Sequence, residues 1–288
     1  MSKQDMRGFY IRIFLPDGSP DMLRIVEKSN WTGLGVVCPR AEFSRAKERS
    51  EFSRTGIYLL LGPSDAGEFP SMYVGEADPV RSRLANHFAN KDFWTWFVAF
   101  VSRDENLNKA HVKYLEYRLL TLAREAKRCS LENNNSPQEP SLSEADKAVM
   151  ETFLDEMLQI FPVIGVTAFE KPKHISSSSR KLFIREKGIV ATGYDEPQGF
   201  VVLEGSQAVA KTVPSLQRSL VKMRDELVKQ GILTANGDCL VMTQDYVFSS
   251  PSTAASVILG RSSNGRTTWK DRKKKTLKAI QMSSRGDG

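Results

Sequence analysis

Gly56-Ile57-Tyr58, Tyr73-Val74-Gly75, Arg83 and His87 fall within one stretch, residues 56–87, and the rest of the chain is organised around it. Two short apolar runs, 57–61 and 72–74, flank a turn-rich segment at 62–71. That pattern predicts a β-hairpin with a long loop, one tyrosine on each strand. Asp78-Pro79 follows with the form of a helix start, Asp as N-cap and Pro at the first helical position. The helix should run from Val80 to about Ala89, with Val80, Leu84 and Phe88 as its apolar stripe. Arg83 and His87 are four apart and share a face at one edge of that stripe. Arg81 falls on the other side of the stripe from His87. Two phenols, a guanidinium and an imidazole can therefore meet where hairpin packs on helix.

Residues 93–102 are strongly β-prone and should form a third, central strand. Residues 108–127 carry the clearest helical period. Val112, Leu115, Leu119, Leu122, Ala123 and Ala126 fall on one stripe, and Glu116 falls inside it. A carboxylate on a buried face costs on the order of several kcal/mol unless it is paired or metal-bound. Two readings follow: a metal ligand, or an internal salt bridge, for instance with Arg83. The polar break at 131–140 contains Asn133 and Asn135. A further helix should start at Ser141 or Ser143 and run to about Ile160, with Val149, Phe153, Leu154, Met157 and Leu158 inward. One more strand is expected at 163–169.

These motifs resemble those of the GIY-YIG nuclease family. Gly56-Ile57-Tyr58 and Tyr73-Val74-Gly75 match its two tripeptides, and Arg83 and His87 match its arginine and histidine. Glu116 stands where the family has a metal-binding glutamate. The segment 64–70 is longer than the family pattern. The resemblance implies a small antiparallel three-stranded sheet flanked by helices. It also implies a Mg²⁺-dependent endonuclease, with Mn²⁺ as a substitute ion, cutting DNA to leave a 5′-phosphate. Tyr58, Tyr73, Arg83, His87 and Glu116 would be catalytic, and Gly56, Gly75 and an asparagine, Asn133 or Asn135, would support them. In that scheme Glu116 holds the metal and Arg83 grips the scissile phosphate. Tyr58 accepts the water's proton, directly or through His87, its pKa lowered by nearby positive charge. Tyr73 positions the water. Two other readings of the same residues are a nucleic-acid binder that does not cut and a nuclease directed at RNA.

Length suits about two domains. The boundaries expected are a β-rich element and connector at 1–54, a nuclease-like domain at 55–170, a linker at 171–181 and a smaller α+β domain at 182–288. The first element should hold strands at 9–15, 22–27 and 35–38 that cover or extend the sheet of the next domain, then a charged helical connector at 41–54. The 182–288 domain should open with three short strands, at 182–186, 189–194 and 199–203, followed by a helix at 216–230. Its later block, with Ser250-Pro251-Ser252, Asn264-Gly265 and Trp269, resembles domains of unknown function found behind GIY-YIG domains, and modules that read modified DNA. Ser250-Pro251-Ser252 can cap a short helix, and Asn264-Gly265 suits a tight turn.

The net charge is +7. Residues 261–288 carry nine Lys/Arg against two Asp, an excess equal to that of the whole chain. Such asymmetry suits a polyanion, with Trp269, Lys270, Arg272, Lys273, Lys274 and Lys275 as nucleic-acid contacts. Core packing of Trp269 beside a solvated tail is the alternative. No apolar run is long enough to span a membrane and no signal sequence precedes the first motif. Cys38, Cys129 and Cys239 are widely spaced and odd in number, which fits a reducing cytoplasm better than a disulfide framework.

Overall fold

The computed structural model describes residues 8–63, 69–135, 137–170, 180–196 and 199–283. It is an α+β chain of two compact units that divide in sequence between Glu170 and Lys171. Most of the long hairpin loop and of the 171–181 linker lie outside the described residues. No helix among the described residues is long and apolar enough to cross a membrane.

The first unit is built on strands β1 (Ile11–Phe14), β2 (Arg24–Lys28), β3 (Gly33–Pro39), β4 (Gly56–Gly62), β5 (Ser71–Ala77), β6 (Trp96–Ser102) and β7 (Ser130–Leu131). They form one seven-stranded sheet in the order β1-β2-β3-β6-β4-β5-β7, antiparallel except where β7 joins β5. The sheet is therefore larger than the three strands expected. β3 explains why: Gly33 to Cys38 are all buried, so it is an interior strand, and it pairs with β6 from Gly33↔Ser102 to Pro39↔Trp96. Of the two arrangements open to the N-terminal strands, covering the sheet or extending it, they take the second.

Strand alternation sends successive side chains to opposite faces. Tyr58, Leu60 and Ala77 pack under helices α1 (Phe43–Ala46) and α2 (Val80–Asn90). Ile57, Leu59, Met72 and Val74 pack under α3 (Lys109–Ala126) and α4 (Glu144–Ile160). The charged 41–54 segment is not one helix but two 3-10 turns around the short α1. Asp78 does not cap α2. Its carboxylate accepts from the Thr55 hydroxyl at 2.9 Å, and Pro79 takes the N-cap position. Ser143 caps α4, accepting from the Asp146 N–H. Val149 on α4 is 60% exposed, and Met150 points inward instead. Residues 163–169 form no strand; a 3-10 turn at Phe161–Ile164 occupies their start.

The second unit contains β8 (Leu182–Glu186), β9 (Ile189–Glu196), β10 (Gly199–Val202), β11 (Gln207–Val209), α5 (Arg218–Lys229), β12 (Leu233–Asn236), β13 (Cys239–Met242), β14 (Tyr246–Phe248), α6 (Pro251–Leu259), α7 (Gly265–Thr268) and α8 (Leu277–Ser283). Its sheets run β14-β10-β9-β8 and β11-β13-β12. Ser250 caps α6 by accepting from the Thr253 N–H. Asn264 does not form a hairpin turn; it caps α7, accepting from the Arg266 N–H at 3.1 Å.

Candidate functional site

The hairpin places Tyr58 opposite Gly75 and Leu60 opposite Tyr73. Gly75 has to be glycine: a Cβ there would lie 2.4 Å from the Tyr58 hydroxyl and 2.8 Å from the Tyr73 ring. The missing side chain is the space into which the Tyr58 phenol projects. Gly56 plays a packing part, since its Cβ would meet the Phe100 carbonyl oxygen at 2.6 Å. It lies under the start of α2, away from the polar groups.

Helix α2 lays His87 and Arg83 over the two tyrosines. The His87 Nε2 is 2.9 Å from the Tyr58 hydroxyl, and the His87 and Tyr73 rings meet edge to face at 4.9 Å. The Arg83 guanidinium faces both phenol oxygens, and its charge acts on each. Tyr58 is fully buried, His87 nearly so, and Arg83 is exposed. Burial pushes the Tyr58 phenol well above its ordinary range, and the opposing pull of Arg83 is too small to reverse this. The expected lowering of the Tyr58 pKa is thus corrected. Burial, with Arg83 and Lys91 nearby, lowers His87 to about 4, so the imidazole is neutral at pH 7. A buried phenol proton needs an acceptor, Arg83 can only donate, and neutral Nε2 is the acceptor at hand. Arg81 points elsewhere, toward Glu48, the Arg49 carbonyl and the Ser53 hydroxyl.

Glu116 approaches from α3, on the other face of the sheet, at the outer edge of β5. That edge is closed in three ways. β7 pairs with Ser71 and Met72. The Asn133 side-chain amide accepts from the Val74 N–H at 2.9 Å and donates to the Val74 carbonyl at 2.8 Å. The Glu116 carboxylate faces the Glu76 N–H. Glu116 is partly buried, and burial together with the Glu76 charge raises its pKa to about 7. Arg83 acts on it through its charge alone. Asn133 is therefore an edge clamp, whereas the Asn135 carbonyl meets Arg124 at 3.3 Å.

Tyr73, Arg83, His87, Glu116, Asn133 and Asn135 line a single open groove of about 950 Å³. Tyr58 does not line this groove; its hydroxyl sits behind His87, which it meets at 2.9 Å. Further groove residues escaped the sequence reading, among them Glu76, Lys91, Lys109 and Glu132. Lys109 Nζ bonds the Glu76 carboxylate at 2.6 Å, and Lys91 Nζ lies 4.9 Å from the centre of the Tyr73 ring. Glu76 was open to inference, because strand alternation sends the residue after Gly75 toward the face of α3. Among the described residues no three Asp, Glu, His or Cys cluster as a metal cage. Two neighbouring carboxylates in a wet groove nevertheless suit a hard, largely hydrated divalent cation, which takes one or two carboxylates and fills its shell with water and phosphate.

In the second unit Trp269 is fully buried against Phe200, with ring centroids 4.5 Å apart, and its Nε1–H donates to the Pro251 carbonyl at 3.0 Å. It is a core residue and offers no face to a base. Lys270, Arg272, Lys273, Lys274 and Lys275 are all exposed.

Comparison with known proteins adds one finding: residues 182–281 match a family described as a domain of unknown function (DUF4357). No nuclease family is matched by the chain. No curated protein and no solved structure matches it.

Proposed function

We propose that the first unit is a divalent-cation-dependent phosphodiesterase of the GIY-YIG type, hydrolysing DNA. The observation that carries this reading is the convergence of Tyr73, Arg83, His87 and Glu116 on one groove, with Tyr58 bonded behind them. A bound Mg²⁺ or Mn²⁺ would supply charge neutralisation at the phosphate and activation of water. Glu116, with Glu76 beside it, is the group to hold that ion. Proton and cation compete for a carboxylate whose pKa is about 7, so the ion is held best above that pH.

Arg83 is the phosphate clamp, because its planar fork of donors matches two phosphate oxygens. In the free protein that fork faces the two phenols. Moving it onto a phosphate uncovers the Tyr58 hydroxyl toward the groove. Tyr58 then acts as a relay. Its oxygen takes the water's proton as its own proton passes to neutral His87, so no free phenolate forms. Tyr73 orients the water or a phosphate oxygen.

The test compares full-length protein on plasmid DNA and on RNA of matching sequence, each with Mg²⁺ and with EDTA, scoring binding and cleavage separately. Mg²⁺-dependent cutting of DNA is expected. Binding of both polymers with cutting of neither would make the unit a binding module, and preferential cutting of RNA would reassign the substrate.

A further inference from the structure

The basic run of the second unit is a built loop, not a tail. Asp271 organises it: its Oδ1 accepts from the Lys273 and Lys275 N–H groups, each at 2.9 Å. Its backbone N–H donates to the Lys275 carbonyl and its carbonyl accepts from the Lys274 N–H, again at 2.9 Å. Lys274 sits at φ 62°, where the turn reverses. Either side of the turn, Lys270 pairs antiparallel with Thr276 and with Phe183, so the loop springs from the outer edge of β8. The lysines are thus held at a turn whose backbone is already closed, and less ordering entropy is lost when they bind.

Direct cross-strand pairing puts Lys270 on the same face as Phe183. Arg185, two residues along β8, lies on that face too, its guanidinium 5.2 Å from the centre of the Phe183 ring. Trp269 takes the opposite face and the core. The half-buried aromatic among these cations is therefore Phe183. Between β8 and the loop lies an open groove of about 490 Å³. Its two acidic groups are both engaged. Glu186 pairs with Arg261 at 2.7 Å, and Asp271 is held by the turn. Asp271 keeps its charge but turns it to the loop's own N–H groups, and among the described groove residues it is outnumbered by Arg185, Lys270, Arg272 and Lys274.

We infer that this face is a grip for a single nucleic-acid strand, with phosphates on the 270–275 loop and Arg185, and a base against Phe183. Cations tracking a backbone beside a half-exposed aromatic suit an unpaired strand, whose bases are free to stack. The inference concerns binding and is independent of the cleavage reading, so the test is run in EDTA, where no cutting contributes.

The measurement is fluorescence anisotropy of the full chain with a labelled single-stranded DNA oligonucleotide. The same-sequence duplex and vesicles of anionic phospholipid serve as comparison ligands, over a salt series. The Lys273→Glu/Lys274→Glu variant should bind the single strand at least about tenfold more weakly, with the slope of log K against log salt smaller by about 1–2. Phe183→Ala should weaken the single strand by about fivefold or more and leave the salt slope unchanged, and Phe183→Tyr should restore it. Unaltered single-strand affinity in a folded charge-reversal variant would overturn the inference. So would vesicles bound as tightly as the oligonucleotide, or a preference for duplex on which Phe183→Ala has no effect.

Discussion

The two polar surfaces of this chain are assembled in opposite ways. The groove of the first unit gathers its groups from separate segments, β4, β5, α2, α3 and the loop at Asn133, and sheet pairing and helix packing bring them together. The basic face of the second draws five of its cations from six consecutive residues, 270–275. The first kind of site is nearly invisible locally, yet each residue has one role once the order of motifs is seen. The second is obvious as a run of charge, but a run says nothing about sidedness. Trp269 and Lys270 are neighbours in sequence and lie on opposite faces, one in the core and one in solvent.

The sharpest way to break this contrast is to remove the proposed phosphate clamp of the groove. Arg83→Ala should lower plasmid nicking by about 10²–10³-fold, the scale for a lost transition-state donor, while oligonucleotide binding through the basic face is retained. Equal loss of both would mean that the two surfaces are not independent. Tyr58→Phe should come next, at about 10²-fold in rate, because the relay loses its hydroxyl and His87 Nε2 loses its partner. Gly75→Ala should cost about 10²-fold with little change in fold, since the added methyl lies where the Tyr58 hydroxyl now sits. Single-turnover rates on the nicked product separate these from binding defects.

Acidity gives a smaller effect of known sign. Glu116 has its pKa raised from 4.5 to about 7. At sub-saturating Mg²⁺ the rate should fall about tenfold per pH unit below about pH 7, as protons displace the cation. His87, at about 4, adds no second break above pH 5. The same shift acts on stability. The unfolded chain loses this proton near 4.5 and the folded chain near 7. Metal-free stability should therefore drop as pH climbs between those values and stay lower above them. Glu116→Gln, which keeps the oxygen facing the Glu76 N–H, should raise the metal-free Tm at pH 8 by about 2–4 °C. It should also abolish the rise in Tm that Mg²⁺ gives the wild type. The smallest effect expected on binding is at Trp269. Trp269→Phe should lower the Tm of the second unit through lost packing and the lost bond to Pro251, while folded protein binds an oligonucleotide as before.

Much of the first unit was legible because long, strongly periodic segments dictate their own structure. The 108–127 pattern became α3 with Glu116 on the edge of its apolar stripe, and the 96–102 part of the aromatic 93–102 run became an interior strand. What stayed hidden depended on pairing at a distance. Nothing in 33–39 says that it joins β6 rather than closing a separate β layer. No local signal tells that the Asp78 carboxylate is taken by Thr55 and so cannot cap α2. The choice between Asn133 and Asn135 was likewise open until the Val74 N–H and C=O were seen to face the Asn133 amide. The direction of the Tyr58 shift depended on burial, which opposes the charge of Arg83 and exceeds it.

The central claim, that the groove between α2 and α3 is a cation-dependent phosphodiesterase site, is tested most directly by nicking of supercoiled plasmid in Mg²⁺ at pH 8. Wild type and Glu116→Gln are run side by side at equal, verified fold and DNA affinity. The account predicts open-circle product from the wild type and at least about 10³-fold less from the variant. Equal nicking by the two proteins would contradict it.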